Sequence, residues 1–105
     1  MLDKTQTPGA VLKSFMDEYN INVFTLSKQT RIGYQTIFKL LRGETKITAQ
    51  IALLLAKYFK TTPEFWLNIQ MVLDLDRLKN NENFMVFLKT IPKAKKKGEP
   101  VAKPS

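Results

Sequence analysis

Apolar residues recur with helical spacing along most of the chain. The first such set is Val11, Leu12, Phe15, Met16 and Tyr19. A later set is Ile51, Ala52, Leu55, Ala56 and Phe59. No segment alternates polar and apolar residues over a useful length, so strands are not expected. The pattern predicts an all-α protein built as a bundle of five or six helices.

Residues that start and stop helices divide this pattern. The candidate N-caps are Thr7, Asn22, Thr48 and Thr62, and a proline follows the first and the last of them. Gly43 ends another helix at a position that favours a left-handed residue. Asn80-Asn81 interrupts the helix that begins at Pro63. After it, the spacing of Phe84, Phe87, Leu88 and Ile91 predicts a last helix.

The segment from Asn22 to Gly43 has the pattern of two short helices joined by a tight turn. The turn is expected at Arg31-Ile32, with Gly33 opening the second helix. At 100° per residue, the residues facing inward are Ile37, Leu40 and Leu41, assisted by Ile32 from the turn. The residues facing outward are Tyr34, Gln35, Phe38, Lys39 and Arg42. This arrangement predicts a helix-turn-helix whose second helix enters the DNA major groove.

Individual roles follow from the donors and acceptors of these side chains. The predicted base-contacting residues are Tyr34, Gln35, Thr36 and Lys39. Gln35 can pair bidentately with adenine, Lys39 can donate to guanine, and the Tyr34 ring can contact thymine methyl groups. The predicted phosphate-contacting residues are Lys28, Arg31, Arg42, Thr45 and Lys46. The simpler alternative is an ordinary exposed surface helix, but the two-helix motif, the closing glycine and the local charge favour DNA binding.

The distribution of charge supports the same interpretation. The chain of 105 residues carries a net charge of +8. Residues 23–46 contain five basic residues and one acidic residue, and so do residues 92–105. The chain therefore divides into a helical domain at residues 1–91 and a basic tail at 92–105, which is proline-rich and expected to be disordered. The tail is either a solvated extension or a segment that wraps a partner protein or contacts DNA phosphates.

Several classes of function are disfavoured by composition. The chain has no cysteine and no histidine, so disulfides and Cys or His metal sites are excluded. No nucleophile lies near a plausible base, and no glycine-rich phosphate loop is present, so we expect neither an enzyme nor a bound cofactor or metal. The longest apolar run, residues 51–56, is too short to span a membrane. The first residues lack a signal-peptide pattern, so a cytoplasmic location is expected.

The last two helices carry more large apolar residues than one small bundle needs. The candidates for a homodimer interface are Met71, Val72, Leu75, Leu78 and Met85. Such a dimer would place two recognition helices about one DNA turn, roughly 34 Å, apart. The alternative is that the last helix folds back and covers them within one subunit. Trp66 is expected in the core because its neighbours Phe65 and Ile69 are apolar.

Particular motifs resemble the HigA-like antitoxins, a branch of the Xre and lambdoid-repressor helix-turn-helix class. The matching positions include Pro8-Gly9 before the first helix and Thr36-Ile37 with Leu40-Leu41-Arg42-Gly43. Further matches are Ile47-Thr48-Ala49, Ala52-Leu53 and Leu55-Ala56. The most specific block is Thr62 to Gln70, TPEFWLNIQ, followed by Asp74-Leu75. The resemblance covers about two thirds of the chain, from Pro8 to Leu75, and implies a lambda-repressor-like helix-turn-helix fold.

The resemblance implies a bacterial antitoxin with three partners. These are operator DNA, a second copy of the chain, and a RelE-like or HigB-like ribonuclease toxin that it neutralises while repressing its own operon. The chain departs from the family where Val23 and Phe24 replace a frequent Gln, and where Arg31 stands at a turn position that often holds Gly.

Two alternatives share the fold. One is an Xre-type transcriptional regulator with no toxin partner. The other is an antitoxin that binds only protein, through an apolar patch of Val23, Phe24 and Phe38.

Overall fold

The computed structural model describes residues 6–98, which contain six α-helices and no strand. The helices are α1 (Pro8–Glu18), α2 (Val23–Thr30), α3 (Tyr34–Arg42), α4 (Ala49–Phe59), α5 (Pro63–Lys79) and α6 (Glu82–Lys89). The prediction of an all-α bundle with a helix-turn-helix is confirmed. Parts of the predicted tail and of the chain start, residues 99–105 and 1–5, lie outside the described residues.

Side-chain caps set the start of most helices. In each predicted case the cap oxygen accepts a hydrogen bond from the backbone amide three residues later, as with Thr7 and Ala10 at 3.1 Å. The predicted caps Thr7, Asn22, Thr48 and Thr62 are all confirmed. Asn81 caps α6 in the same way. Gly33 opens α3 without a side-chain cap, as its lack of a side chain requires.

The core lies where the helices α1 to α5 meet. Its fully buried large side chains are Trp66, Phe59, Leu12, Leu26, Ile37, Leu40, Leu55 and Ile69. Trp66 is confirmed as a core residue, and its indole Nε1 donates a 2.8 Å hydrogen bond to the hydroxyl of Thr61. The Phe15 ring lies 5.3 Å from Trp66 and 5.1 Å from Phe59 between ring centroids. This aromatic cluster joins α1 to α4 and α5.

The helix α6 packs against α5, yet none of its residues is buried. Of the expected apolar stripe, Phe84 is half-buried, whereas Phe87, Leu88 and Ile91 are exposed. Residues 92–98 form no helix and are exposed. Disorder of the whole tail stays a prediction.

Of the five predicted dimer residues, Val72 and Met85 are half-buried, while Met71, Leu75 and Leu78 are 51%, 46% and 43% exposed. The fold-back alternative therefore fails for those three, because α6 does not cover them. Their dimer role remains a prediction.

Candidate nucleic-acid interface

The helix α3 has a buried face and an open polar face. Ile37 and Leu40 are buried almost completely. Gln35 and Lys39, four residues apart and therefore on one side of the helix, are exposed. Tyr34 is 47% exposed at the first helical position. The sequence-based division into inward and outward residues is found for these residues, whereas the predicted outward Phe38 and the predicted inward Leu41 are both half-buried.

Thr36 occupies a less favourable position than the other predicted base-contacting residues. Its side chain is half-buried and lies toward Gly33, where a Cβ would be 3.9 Å from the Thr36 hydroxyl. On the helix it lies about 100° from Gln35, toward the buried side. A contact from Thr36 to DNA stays a prediction, and its position fits the edge of an interface better than the centre.

A network of buried hydrogen bonds holds the turn between α2 and α3. Thr30 donates to the carbonyl of Leu26 at 2.7 Å and accepts from the amide of Ile32 at 3.3 Å. Ser27 donates to the carbonyl of Ile32 at 2.6 Å. Arg31 adopts the left-handed conformation with φ of 66°. The turn therefore forms with Arg31 at the left-handed position, and the surrounding hydrogen bonds stabilise it.

The helix α1 approaches the end of α3 without intervening side chains. A Cβ on Gly9 would lie 2.6 Å and 2.7 Å from the backbone oxygens of Leu40 and Leu41. Only glycine allows this approach, which sets the position of α3 in the bundle. Gly9 belongs to a sequence motif, but its contact with α3 was not predictable, because the two helices are far apart in sequence.

Two of the predicted phosphate-contacting residues are free to bind. Within residues 6–98, Lys28 and Arg31 make no side-chain hydrogen bond or salt bridge, and both are exposed at the end of α2 and in the turn. Thr45 is exposed in the loop after α3. Exposed cations beside a polar recognition helix are suited to binding phosphates.

Arg42 is already engaged by an acidic neighbour. Its Nε donates to both carboxylate oxygens of Glu44, at 2.8 Å and 3.1 Å. This hydrogen bond raises the pKa of the Arg42 guanidinium and lowers the pKa of the Glu44 carboxyl. A phosphate would therefore compete with Glu44 for Arg42. In the sequence, Glu44 contributes one negative charge to this region, but its pairing with Arg42 was not predicted.

A second network joins the loop after α3 to α5. The buried side chain of Gln70 accepts from the amide of Ile47 at 2.9 Å and donates to Asp74 at 3.0 Å. Asp74 also lies 3.5 Å from the ammonium of Lys46. The predicted phosphate contact Lys46 is thus held near α5. Gln70 belonged to the motif block used for the resemblance, but its partner, 23 residues away, was not predictable from the spacing.

An aromatic cluster, exposed at Phe24 and Tyr34 and half-buried at Phe38, borders the polar face of α3. The ring centroid of Phe24 lies 5.5 Å from that of Tyr34 and 6.2 Å from that of Phe38. Phe24 is 62% exposed. Val23, by contrast, packs against the core. The predicted apolar patch of Val23, Phe24 and Phe38 therefore needs a correction: Val23 turns inward, and Tyr34 takes its place in the aromatic cluster.

None of the helices within residues 6–98 is long and apolar enough to cross a membrane. Over the same range, no group of acidic, His or Cys side chains is arranged to hold a metal ion.

Similarity to known proteins agrees with this geometry. A family described as "Helix-turn-helix domain" matches residues 4–92. An uncharacterized HTH-type transcriptional regulator from Haemophilus influenzae is 32% identical over 95 residues, which cover 90% of this chain and 89% of the relative.

Two solved structures are similar in fold and in sequence. An addiction module antidote protein of the HigA family from Coxiella burnetii superposes with a TM-score of 0.73 at 31% identity, covering 84% of this chain and 97% of that one. The antitoxin HigA of Pseudomonas aeruginosa, solved with the higBA promoter, gives a TM-score of 0.74 at 25% identity, covering 83% and 96%. The chain belongs to the helix-turn-helix domain family, and its resemblance to HigA-like antitoxins is confirmed.

Proposed function

We propose that this protein is a sequence-specific DNA-binding antitoxin rather than an enzyme. The observation that carries the proposal is the open polar face of α3, with Gln35 and Lys39 exposed above the buried Ile37 and Leu40. A rigid helix with such a face fits the width of the major groove. The similar Pseudomonas antitoxin, solved with the higBA promoter, supports a DNA-binding role.

Base reading and phosphate binding are divided between two sets of residues. Tyr34, Gln35, Thr36 and Lys39 contact bases, and Lys28, Arg31, Arg42, Thr45 and Lys46 contact phosphates. Gln35 pairs with adenine and Lys39 with guanine acceptors. The unpaired cations Lys28 and Arg31 bind phosphate directly, whereas Arg42 and Lys46 must first leave Glu44 and Asp74.

A binding titration tests the DNA-reading role. The full chain is titrated against a duplex selected from a random-sequence pool and against an unrelated duplex, at several salt concentrations. We expect Gln35→Ala and Lys39→Ala to lose about 5–150-fold in affinity for the selected duplex, as the loss of a base contact of about 1–3 kcal/mol requires. Lys57→Ala on α4 removes the same charge as Lys39→Ala and serves as its matched control. If Lys39→Ala and Lys57→Ala lost the same affinity for the selected duplex, Lys39 would contribute only its charge and no base contact.

The protein acts as a homodimer through α5 and α6. The support is the exposure of Met71, Leu75 and Leu78 on α5 next to the half-buried Val72 and Met85. Pairing two copies through this face buries it and supplies two recognition helices for two half-sites. Analytical ultracentrifugation tests this: Leu75→Glu should give monomers, while Leu53→Glu, at an even more exposed leucine on α4, should leave dimers. A monomeric wild-type chain at micromolar concentration would contradict the dimer.

The antitoxin role concerns a RelE-like or HigB-like ribonuclease toxin, which the protein binds and inactivates in the cytoplasm while it represses its own operon. The support is the similarity to proteins of the HigA family. Co-expression with the product of the adjacent gene tests it. That product should arrest growth alone and form a stable complex with this chain that restores growth.

The second candidate is an Xre-type transcriptional regulator without a toxin. The similarity over 90% of the chain to a protein described as an HTH-type transcriptional regulator favours it. Sequence-specific DNA binding together with a harmless neighbouring gene product would select this alternative.

A further inference from the structure

We infer that Phe24, Tyr34 and Phe38 form an apolar reading surface that contacts thymine 5-methyl groups beside the bases read by Gln35. The inference rests on the proposed DNA binding and adds to it a residue of α2, Phe24, as a determinant of specificity. It also predicts that the half-site contains thymine next to the base pair bound by α3.

The first support is the position of the cluster. The Phe24 ring stands beside Tyr34 and Phe38, at 5.5 Å and 6.2 Å between centroids. At 100° per residue, Tyr34 and Phe38 lie on one side of Gln35 and Lys39 lies on the other. A groove that accepts Gln35 therefore brings DNA to the aromatic side of α3 as well.

The second support is the exposure of the cluster. Phe24 is 62% exposed and Tyr34 is 47% exposed, while Phe38 is half-buried. Burial in this bundle therefore does not explain why the α2 position holds Phe. The thymine methyl is the one apolar group that the major groove offers, and aromatic side chains are suited to contact it.

The third support is the charge that surrounds the cluster. No acidic residue occurs between Tyr19 and Gly43. The exposed cations Lys28, Arg31 and Lys39 lie on the same two helices and in their turn. An apolar patch flanked by these cations complements a polyanion that carries methyl groups, and this favours DNA over an apolar protein partner.

A methyl-deletion experiment tests the inference. The probe is the duplex selected with the full chain, compared with duplexes in which single thymines are replaced by deoxyuridine, which removes only the methyl group. We expect at least one replacement per half-site to weaken wild-type binding about threefold to fivefold, the effect of returning one methyl group to water. Phe24→Ala should weaken binding to the thymine duplex by a similar factor and lose its preference for thymine at that position.

Control variants distinguish the loss of a base contact from the loss of the folded structure. Phe24→Leu keeps an apolar contact and should retain part of the thymine preference, and Leu53→Ala, another exposed apolar residue, should bind like the wild type. Thermal unfolding of each variant shows that the fold is intact.

Two outcomes would overturn the inference while the proposed function survives. One is equal wild-type affinity for the thymine and deoxyuridine duplexes. The other is a Phe24→Ala variant with unchanged DNA binding, which would assign the cluster to a protein partner. If no duplex is selected at all, the DNA-binding proposal and this inference fail together.

Discussion

The contact between α1 and α3 yields a sharp prediction for the substitution Gly9→Ala. A Cβ on Gly9 would lie 2.6 Å and 2.7 Å from two backbone oxygens, those of Leu40 and Leu41. Because neither oxygen belongs to a flexible side chain, the two helices must move apart to make room.

The expected magnitude follows from two opposing effects. Overpacking in a well-packed region costs about 1–3 kcal/mol. Alanine in a helix recovers roughly 0.5–1 kcal/mol relative to glycine. Because both contacts are with backbone oxygens, the cost lies in the upper part of that range, about 2–3 kcal/mol. The net expectation is therefore a loss of about 1–2.5 kcal/mol in the free energy of unfolding, and each kcal/mol lowers the Tm by roughly 4–8 °C in a domain of this size.

Thermal and urea unfolding followed by far-UV circular dichroism measure this effect. The matched control is Gly33→Ala, because a Cβ there meets only the Thr36 hydroxyl at 3.9 Å and the backbone φ of −57° suits alanine. The control should change stability by less than about 1 kcal/mol, because the entropy that alanine removes from the unfolded chain is offset by its being a poorer N-cap than glycine. If Gly9→Ala proved as stable as Gly33→Ala, the reasoning that a backbone contact fixes α3 would be wrong.

Three further predictions concern residues around the interface. Gln70→Ala leaves a buried backbone amide without an acceptor and should lower the free energy of unfolding by about 1–3 kcal/mol in urea titrations, whereas the exposed Gln29→Ala should not. Arg31→Gly removes the strain of a left-handed arginine and should raise the free energy of unfolding by about 0.5–1 kcal/mol. The same change should weaken DNA binding and lower the slope of log affinity against log salt concentration by about 0.9. Stronger DNA binding by the variant would exclude a phosphate contact by Arg31. Glu44→Gln releases Arg42 and should tighten DNA binding at low salt. The pKa of Glu44 is lowered in the fold, so its ion pair stabilises the wild type above the ordinary pKa of 4.5. This stabilisation is lost as the pH falls through the lowered pKa. Acid titration should therefore destabilise the wild type more than the variant.

Residues close together in sequence were sufficient to predict where the helices begin and which residues they bury. Caps such as Asn22 and Thr62 act on amides three residues away, and the chain order alone brings them together. The burial of Ile37 and Leu40 likewise followed from the period of one helix. These features were predictable because cause and effect lie within one helical turn.

Contacts between distant segments were not predictable in this way. The amide of Ile47 meets the side chain of Gln70 across 23 residues of sequence. The ion pair of Arg42 with Glu44 is close in sequence, yet it depends on the left-handed turn at Gly43. Periodicity assigns each side chain to a face of its own helix and cannot say what that face meets.

Residues that hold α3 in place are distinct from the residues proposed to contact DNA bases. Gly9 lies against the end of α3, and Gln70 holds the loop that follows it, but neither belongs to the outer face of the helix. A change at either position shifts α3 as a body, so it should weaken binding to all DNA sequences by a similar factor. A change at Gln35 should instead alter the preference at one base pair, since we propose that its amide pairs with a single base. The ratio of specific to non-specific affinity, rather than affinity alone, is therefore the quantity that assigns each residue of this domain to one role or the other.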